Sequence, residues 1–129
     1  MVRNYISLPH SYDSVNCITI IKDFYHNELN LEFSLPDYPL SKHWIKEFTT
    51  TSIDNWAAKC AKKVSLTNAK DYDVIAFKSK KTNLVTHFGM YLMPSKMLHI
   101  EEGGISCVET LSDYWVENIH SIYRHDSLV

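Results

Sequence analysis

The sequence predicts an α+β fold, in which helices come first along the chain and an antiparallel β-sheet follows. In the first half, apolar residues recur with the helical period of about 3.6 residues. From residue 73 onward, short runs rich in β-branched and aromatic residues are separated by Lys, Asn, Pro, Ser or Gly. A chain of 129 residues can bury a core without metal or disulfide staples, so we expect a single domain over residues 1–129.

Three helices are predicted in the first half. Asn16 can cap a helix over residues 17–29, whose apolar positions fit one helix face. The following stretch SLPDYPL holds two prolines and is predicted to be a loop. Ser41 can cap a short helix KHWIKEF, and Thr51 with Asp54 has the capping-box form ahead of NWAAKCAKKV.

Four strands are predicted in the second half, in the segments DVIAFK, LVTHFGMYL, MLHIE and ISCVETL. A short helix capped by Ser112 follows, and a final strand or tail lies around Ile122 to Arg124. Short strands joined by short connections favour antiparallel pairing, so the helices of the first half are expected to pack on an antiparallel sheet.

Charge and composition exclude several classes of partner. Thirteen basic and fifteen acidic residues give a net charge of −2, and no block of like charge marks a nucleic-acid or membrane surface. The start MVRNYISLPH lacks the apolar segment of a signal peptide, and no run of about 18 apolar residues predicts membrane insertion. We therefore expect a protein made in the cytoplasm without a signal peptide. Three cysteines without close spacing predict neither a disulfide framework nor a CxxC zinc site.

Cys17 occupies the first turn of the first predicted helix. Backbone N–H groups and the helix dipole in that turn favour a thiolate, and the same N–H groups can bind the oxyanion of an acyl-transfer intermediate. This position indicates a nucleophile with a lowered thiol pKa. The alternative is a small buried apolar residue, as free cysteines often are. Cys60 lies within a helical run and Cys107 within a strand, so structural roles are expected for both.

Two histidines lie on predicted strands, and a catalytic cysteine needs such an imidazole. Alternation in LVTHFGMYL places His87 with Gly89 and Tyr91 on one face. Gly89 leaves room beside His87, and we expect the start of the Cys17 helix to approach there. The alternative is that both histidines are ordinary sheet-surface residues.

Hairpin register decides whether the second histidine, His99 in MLHIE, shares that face. A five-residue loop from Leu92 to Lys96 pairs Tyr91 with Met97 and brings the two imidazoles diagonally adjacent. A four-residue loop separates them.

Four segments in order resemble the NlpC-type cell-wall cysteine peptidases, and most closely the branch attached to bacteriophage tails. YISLPHSYDSVNCITIIKDFYHNELNLEFSLPDYP is similar to that branch's opening, and DYDVIAFK resembles its G-D-x-x-x-F strand. HFGMYLMPSKMLH resembles H-V-G-I-Y-L followed by a second histidine twelve residues after the first. WVENIHSIYRH is similar to the W-x-x-x-I-x-x-x-Y-R ending of the phage branch.

The resemblance implies a papain-like fold with Cys17 as nucleophile, His87 as general base and acid, and His99 as the group that orients His87. It implies peptidoglycan stem peptides as substrate, commonly cut after γ-D-glutamate, and other tail-tip proteins as partners in the virion. It implies no cofactor and no metal. For the substrate-facing tyrosine of the family, Tyr12 is a candidate, and His10 lies nearer the expected position.

The residues around Cys17 depart from the family pattern and keep other interpretations open. Asn16 stands where the family usually has aspartate, and Ile18 to Ile20 lack the usual small residue and glycine. A second hypothesis is therefore a structural or assembly subunit of a tail tip that keeps the peptidase scaffold with little or no activity. A third is a zinc site formed by Cys17, His87 and His99, because three such ligands can hold the ion.

Overall fold

The computed structural model describes residues 1–11, 14–33 and 47–128, with side chains in the last range from residue 52 onward. Within these ranges the chain forms helices and a six-stranded sheet. The helices are α1 (Cys17–Phe24), α2 (Glu47–Cys60) and α3 (Asp113–Glu117). The strands are β1 (Ala61–Val64), β2 (Val74–Lys78), β3 (Val85–Leu92), β4 (Lys96–His99), β5 (Cys107–Thr110) and β6 (Ile119–His125).

Helix α1 begins at the residue that the sequence predicts. Asn16 Oδ1 accepts hydrogen bonds of 3.0 Å from the backbone N–H groups of Ile18 and Thr19. Thr19 Oγ1 in turn accepts a 2.9 Å bond from the N–H of Asn16, so the cap is reciprocal. A π-helical turn over Tyr25–Leu29 continues the helix, and Asn30 ends it in the left-handed conformation with φ of 54°. The predicted extent of 17–29 is confirmed.

Of the next two predicted helices, the first is described only at its end, and the second is wrong at both its start and its end. The predicted helix KHWIKEF lies outside the described residues except for its last two, which begin α2. Thr51 lies inside α2 and not at its N-terminus, so the predicted capping box is wrong. The end of NWAAKCAKKV is strand β1. Helix propensity in AKKV is overridden by antiparallel pairing with β6, which matches Ala61 to His125.

All four predicted strands of the second half are confirmed, and the final strand is longer than predicted. The strand order is β1-β6-β2-β3-β4-β5, and every neighbouring pair is antiparallel. Ser112 stands at the predicted N-cap of α3 but its hydroxyl makes no capping hydrogen bond. β1 and β5 are the edge strands, and the lysines of β1 are exposed there, as is common for edges.

The sheet separates two apolar clusters. One contains α1 and α2 residues packed with Phe88 and Met90 of β3. The other contains Trp115 of α3 packed with Phe77 and Met97. The expectation that Gly89 admits the start of α1 is wrong. A Cβ atom at Gly89 would lie 2.7 Å from Met97 Sδ and 3.4 Å from Phe77, so the glycine makes room for the second cluster instead.

A buried ion pair joins the start of β2 to its neighbour β6. Arg124 Nε donates to Asp73 Oδ1 at 2.9 Å and Arg124 Nη2 donates to Oδ2 at 2.8 Å. Asp73 is fully buried, and the backbone N–H of Lys70 also donates to its Oδ2. This bidentate pair fixes the start of β2 against the end of β6.

The segment that leads to α1 is bound to the loop before β5. The N–H of Ser7 donates to the carbonyl oxygen of Ser106, the N–H of Ser106 to that of Leu8, and the N–H of His10 to that of Gly104. Ser106 is buried, and its Oγ donates a 2.7 Å hydrogen bond to the carbonyl oxygen of Tyr5. Within the described ranges, the helices are too short or too polar to cross a membrane.

Candidate active site

Cys17 is the first residue of α1 and its side chain is buried between the helix and the sheet. Its sulfur forms hydrogen bonds with the backbone of Phe88, of Cys17 itself and of Ile18. Phe88 directly follows His87 on β3. The helix therefore delivers the thiol to the strand position next to the predicted base, although α1 packs on the face of the sheet that carries Phe88.

The thiol pKa lies in the direction opposite to that expected from the sequence. Burial raises the pKa of Cys17 to about 11, against the lowering effect of the three backbone hydrogen bonds. Desolvation disfavours the thiolate more than the helix start favours it. At neutral pH the sulfur is thus held as a thiol, and a base must remove its proton when it reacts.

His87 and His99 meet side by side as the five-residue loop predicts. β3 and β4 pair Tyr91 with Met97 and Leu92 with Lys96, which is the register of the five-residue alternative. His87 Nε2 lies 2.9 Å from His99 Nδ1, and the ring centroids are 5.1 Å apart. His99 is almost fully buried, so its ring orientation is fixed by packing and by its two hydrogen bonds.

Glu109 and Trp115 extend this pair, and neither was singled out for the site from the sequence. His99 Nε2 lies 2.8 Å from Glu109 Oε1, and Trp115 Nε1 donates a 2.9 Å hydrogen bond to Glu109 Oε2. Trp115 also stacks on His87, with ring centroids 5.4 Å apart and planes at 30°. The Trp of the segment WVENIHSIYRH is Trp115, so the sequence contained a signal for this residue. No sequence feature indicated the register between β4 and β5, which places Glu109.

The hydrogen-bond chain assigns the protons of both imidazoles. Burial raises the pKa of Glu109, but bonds from Trp115 and His99 outweigh it and the pKa is lowered overall. The ionised carboxylate only accepts hydrogen bonds, so His99 Nε2 carries a proton. In the 2.9 Å bond between the two rings one nitrogen must donate, and we assign His87 Nε2 as the donor and His99 Nδ1 as the acceptor. The Nδ1 atom of neutral His87 is then the nitrogen that keeps a lone pair for a proton.

Aromatic rings hold His87 in its neutral form. Phe77 lies with its ring centroid 5.7 Å from that of His87, and Trp115 covers the ring as described. Burial, with a smaller effect of the neighbouring His99, lowers the pKa of His87 to about 3. His87 is therefore a neutral imidazole across the physiological pH range and is available as a base.

The amides of the first turn of α1 are partly used by the cap. Those of Ile18 and Thr19 donate to Asn16 Oδ1, whereas the cap leaves the N–H of Cys17 to other acceptors. An oxyanion formed at Cys17 could be bound by this N–H. The cap therefore uses two of the backbone N–H groups that were expected from the sequence to bind an oxyanion.

Of the two candidate substrate-binding residues, the structure describes only His10. Tyr12 lies outside the described residues. His10 is half-buried, with its backbone bound to Gly104, and its role in binding substrate stays a prediction. A pocket of about 450 Å³ lined by Trp56, Cys60 and His125, among others, lies apart from the two histidines and from Cys17.

The zinc set of Cys17, His87 and His99 is not supported. Among the described residues, the one group of His, Cys, Asp and Glu ligand atoms lying within 4.8 Å of one another is His99, Cys107 and Glu109. His87 Nε2 and His99 Nδ1 bind each other, which occupies the nitrogens that would have to turn to a shared ion.

The fold and the site define an α+β scaffold in which a cysteine at a helix start contacts the strand residue that follows a histidine. The model of the NlpC/P60 family matches residues 7–124. The chain therefore belongs to the NlpC/P60 family, which confirms the resemblance seen in the sequence.

One relative and two solved structures are similar to the chain over nearly its whole length. It is 28% identical over 132 residues to the tail tip assembly protein K of Escherichia phage lambda, covering 96% of this chain and 63% of that protein. A Staphylococcus aureus protein of the NLP/P60 family, described as similar to lipoprotein, has a TM-score of 0.64 at 19% identity, covering 95% of this chain and 38% of the other. The NlpC/p60 domain of the peptidoglycan hydrolase SagA has a TM-score of 0.64 at 13% identity, covering 95% and 91%.

Proposed function

We propose that the chain is a cysteine peptidase that cuts peptide stems of peptidoglycan at a γ-D-glutamyl bond and helps a phage tail tip to cross the cell wall. One observation carries the proposal: the chain of hydrogen bonds from His87 through His99 to Glu109 leaves His87 Nδ1 as a base beside the strand position that holds the Cys17 sulfur. A buried cysteine without a function needs no such oriented imidazole nearby.

The reaction begins with a neutral thiol. As Cys17 Sγ attacks the carbonyl carbon of the amide, its proton passes to His87 Nδ1, and the carbonyl oxygen becomes an oxyanion near the helix start. His87 then gives this proton to the leaving amine, and the C–N bond breaks to form a thioester. Water, deprotonated by His87, hydrolyses the thioester and regenerates the thiol.

His99 and Glu109 act on His87 through its Nε2 atom. When His87 takes up the thiol proton it becomes an imidazolium, and its Nε2–H bond to His99 keeps the ring in place. The Glu109 carboxylate, at the end of the chain, stabilises the positive charge across His99. Trp115 fixes both Glu109 and the plane of the His87 ring. We assign positioning roles to these three residues.

The proposal is tested with purified peptidoglycan and with defined stem peptides, whose products are identified by mass spectrometry. The wild type is expected to release fragments, and Cys17→Ala to release none, with an unchanged circular dichroism spectrum. Cys60→Ala is the matched control and should cleave like the wild type. Equal release by wild type and Cys17→Ala contradicts the proposal.

A second candidate is a structural or assembly subunit that keeps the scaffold. The buried thiol with its raised pKa favours it, as does the name of the lambda relative, a tail tip assembly protein. On this hypothesis, neither the wild type nor Cys17→Ala releases fragments, while both assemble into tails. In either case we propose that the chain acts in the virion tail and contacts other tail-tip proteins.

A further inference from the structure

Three potential metal ligands lie together at the outer end of the hydrogen-bond chain. β4 and β5 pair His99 directly with Cys107, and directly opposed residues point to the same face of a sheet. Glu109 lies two residues after Cys107 on β5 and shares that face. His99, Cys107 and Glu109 each contribute a ligand atom, and these atoms all lie within 4.8 Å of one another.

This set is chemically suited to zinc-like ions. Imidazole nitrogen, thiolate sulfur and carboxylate oxygen are the three ligand types that Zn²⁺ uses, and three protein ligands with one open position are a common arrangement. In a tetrahedral site the ligand atoms lie about 3.5 Å apart. His99 Nε2 and Glu109 Oε1, now 2.8 Å apart, would open slightly, and Cys107 would approach.

We propose that His99 Nε2, Cys107 Sγ and Glu109 Oε1 bind a divalent ion of the zinc type, and that this ion switches off the peptidase. The site lies on the edge strand β5. Cys107 is half-buried and the Glu109 side chain is 40% exposed, so an ion can reach them. The carboxylates of Glu109 and Glu101 both lie near enough to Cys107 to act on it electrostatically, which makes the surroundings acidic.

Inhibition follows from the geometry of the hydrogen-bond chain and therefore rests on the proposed function. His99 Nε2 and Glu109 Oε1 now bond to each other at 2.8 Å. An ion that binds both atoms displaces the proton between them to solvent, so the direct bond between the His99 ring and the carboxylate is lost. His99 Nδ1 lies 2.9 Å from His87 Nε2 and moves with its ring, so His87 is no longer held in place to accept the thiol proton.

Metal binding is measured first, because it does not depend on peptidase activity. The full chain is purified with reductant and chelator, desalted, and titrated with Co²⁺ and Zn²⁺. The wild type is expected to bind one ion and to show the near-ultraviolet absorption of a cobalt thiolate. The three cysteines supply matched variants: Cys60→Ser and Cys17→Ser should keep this band, whereas Cys107→Ser should lose it and bind at least about tenfold more weakly.

Several results would overturn the metal site. They are a wild type that binds no ion, a Cys107→Ser variant that keeps the band, and a Cys17→Ser variant that loses it, which would place the ion on the nucleophile. These outcomes leave the peptidase proposal untouched, and failure of the peptidase leaves the titration valid.

The inhibitory effect is measured as the ratio of fragment release with and without Zn²⁺, for each variant relative to its own metal-free rate. Zn²⁺ should lower this ratio at least about tenfold in the wild type, in line with the loss of the groups that position the general base. In Cys107→Ser the ratio should stay near one at the same Zn²⁺ concentration. Equal inhibition of wild type and Cys107→Ser refutes the switch.

Discussion

The neutral state of His87 predicts how the stability of the protein depends on pH. In the unfolded chain an imidazole titrates near 6.5, whereas burial lowers the pKa of His87 in the folded chain to about 3. Between these values the unfolded state binds a proton that the folded state does not. The contribution of His87 to folding is therefore complete above pH 6.5 and is lost as pH falls towards 3.

The size of this loss follows from the pKa difference. Each pH unit between 6.5 and 3 lowers the free energy of unfolding by about 1.36 kcal/mol. When the pH is lowered from 7.5 to 5, only the part below 6.5 counts, which is about 1.5 units and gives a loss of about 2 kcal/mol. Because the His87 ring keeps some contact with solvent, we expect about 1 to 2 kcal/mol. The loss should be absent in His87→Gln, whose amide can still donate to His99.

The assay is urea unfolding followed by tryptophan fluorescence at pH 7.5 and pH 5, with reductant and chelator present. The quantity of interest is the change in unfolding free energy between the two pH values, compared between wild type and His87→Gln, because other groups titrate equally in both. His26→Gln serves as a surface control, since the side chain of His26 is 72% exposed. An equal pH-dependent loss in wild type and His87→Gln would refute the assignment of a desolvated, neutral His87.

Three further substitutions test other parts of the structure. Glu109→Gln removes the charge that stabilises the imidazolium, so kcat for stem peptides should fall about 10²-fold with little change in KM, and a change in KM alone would contradict the positioning role. Asn16→Ala removes the cap of α1 and should lower the unfolding free energy by about 1 kcal/mol in urea titrations. Arg124→Met leaves the carboxylate of Asp73 buried without its partner and should cost about 3 to 5 kcal/mol. The double variant Asp73→Leu/Arg124→Met should regain part of this loss, and no recovery would mean that the ion pair is not the cause.

Local signals in the sequence were sufficient for the parts of the site that depend on a single element. The cap at Asn16 fixed the start of α1 and hence the position of Cys17 on the helix. For the hairpin between β3 and β4 the sequence left two loop lengths open, and the structure has the register that brings His87 to His99. The interactions that decide the cap and the hairpin span only a few residues along the chain, so the sequence reduces them to one or two alternatives.

Interactions between distant segments decided what the sequence analysis missed. Strand β1 forms because β6, some sixty residues away, supplies its partner, and this overrides the helical preference of AKKV. Glu109 reaches His99 because of the β4–β5 register, which no short turn fixed. The side on which α1 approaches β3 depended on the shape of the whole core, so the role expected for Gly89 was wrong.

The thiol pKa shows the same limit and bears on how the site would work. A helix start alone predicts a lowered pKa, and the amides that produce this effect are present at Cys17. The burial needed to bring the sulfur to β3 has the larger effect, and the thiol pKa rises. In the proposed peptidase, a resting thiolate is therefore not the source of reactivity. Removal of the thiol proton then depends on His87, which must be neutral, correctly oriented and able to bear a positive charge for a short time. The hydrogen bonds to His99 and Glu109 and the stacked ring of Trp115 meet these requirements together. For this reason, substitutions of His99, Glu109 or Trp115 should affect kcat while they leave the reactivity of the Cys17 thiol towards small reagents unchanged.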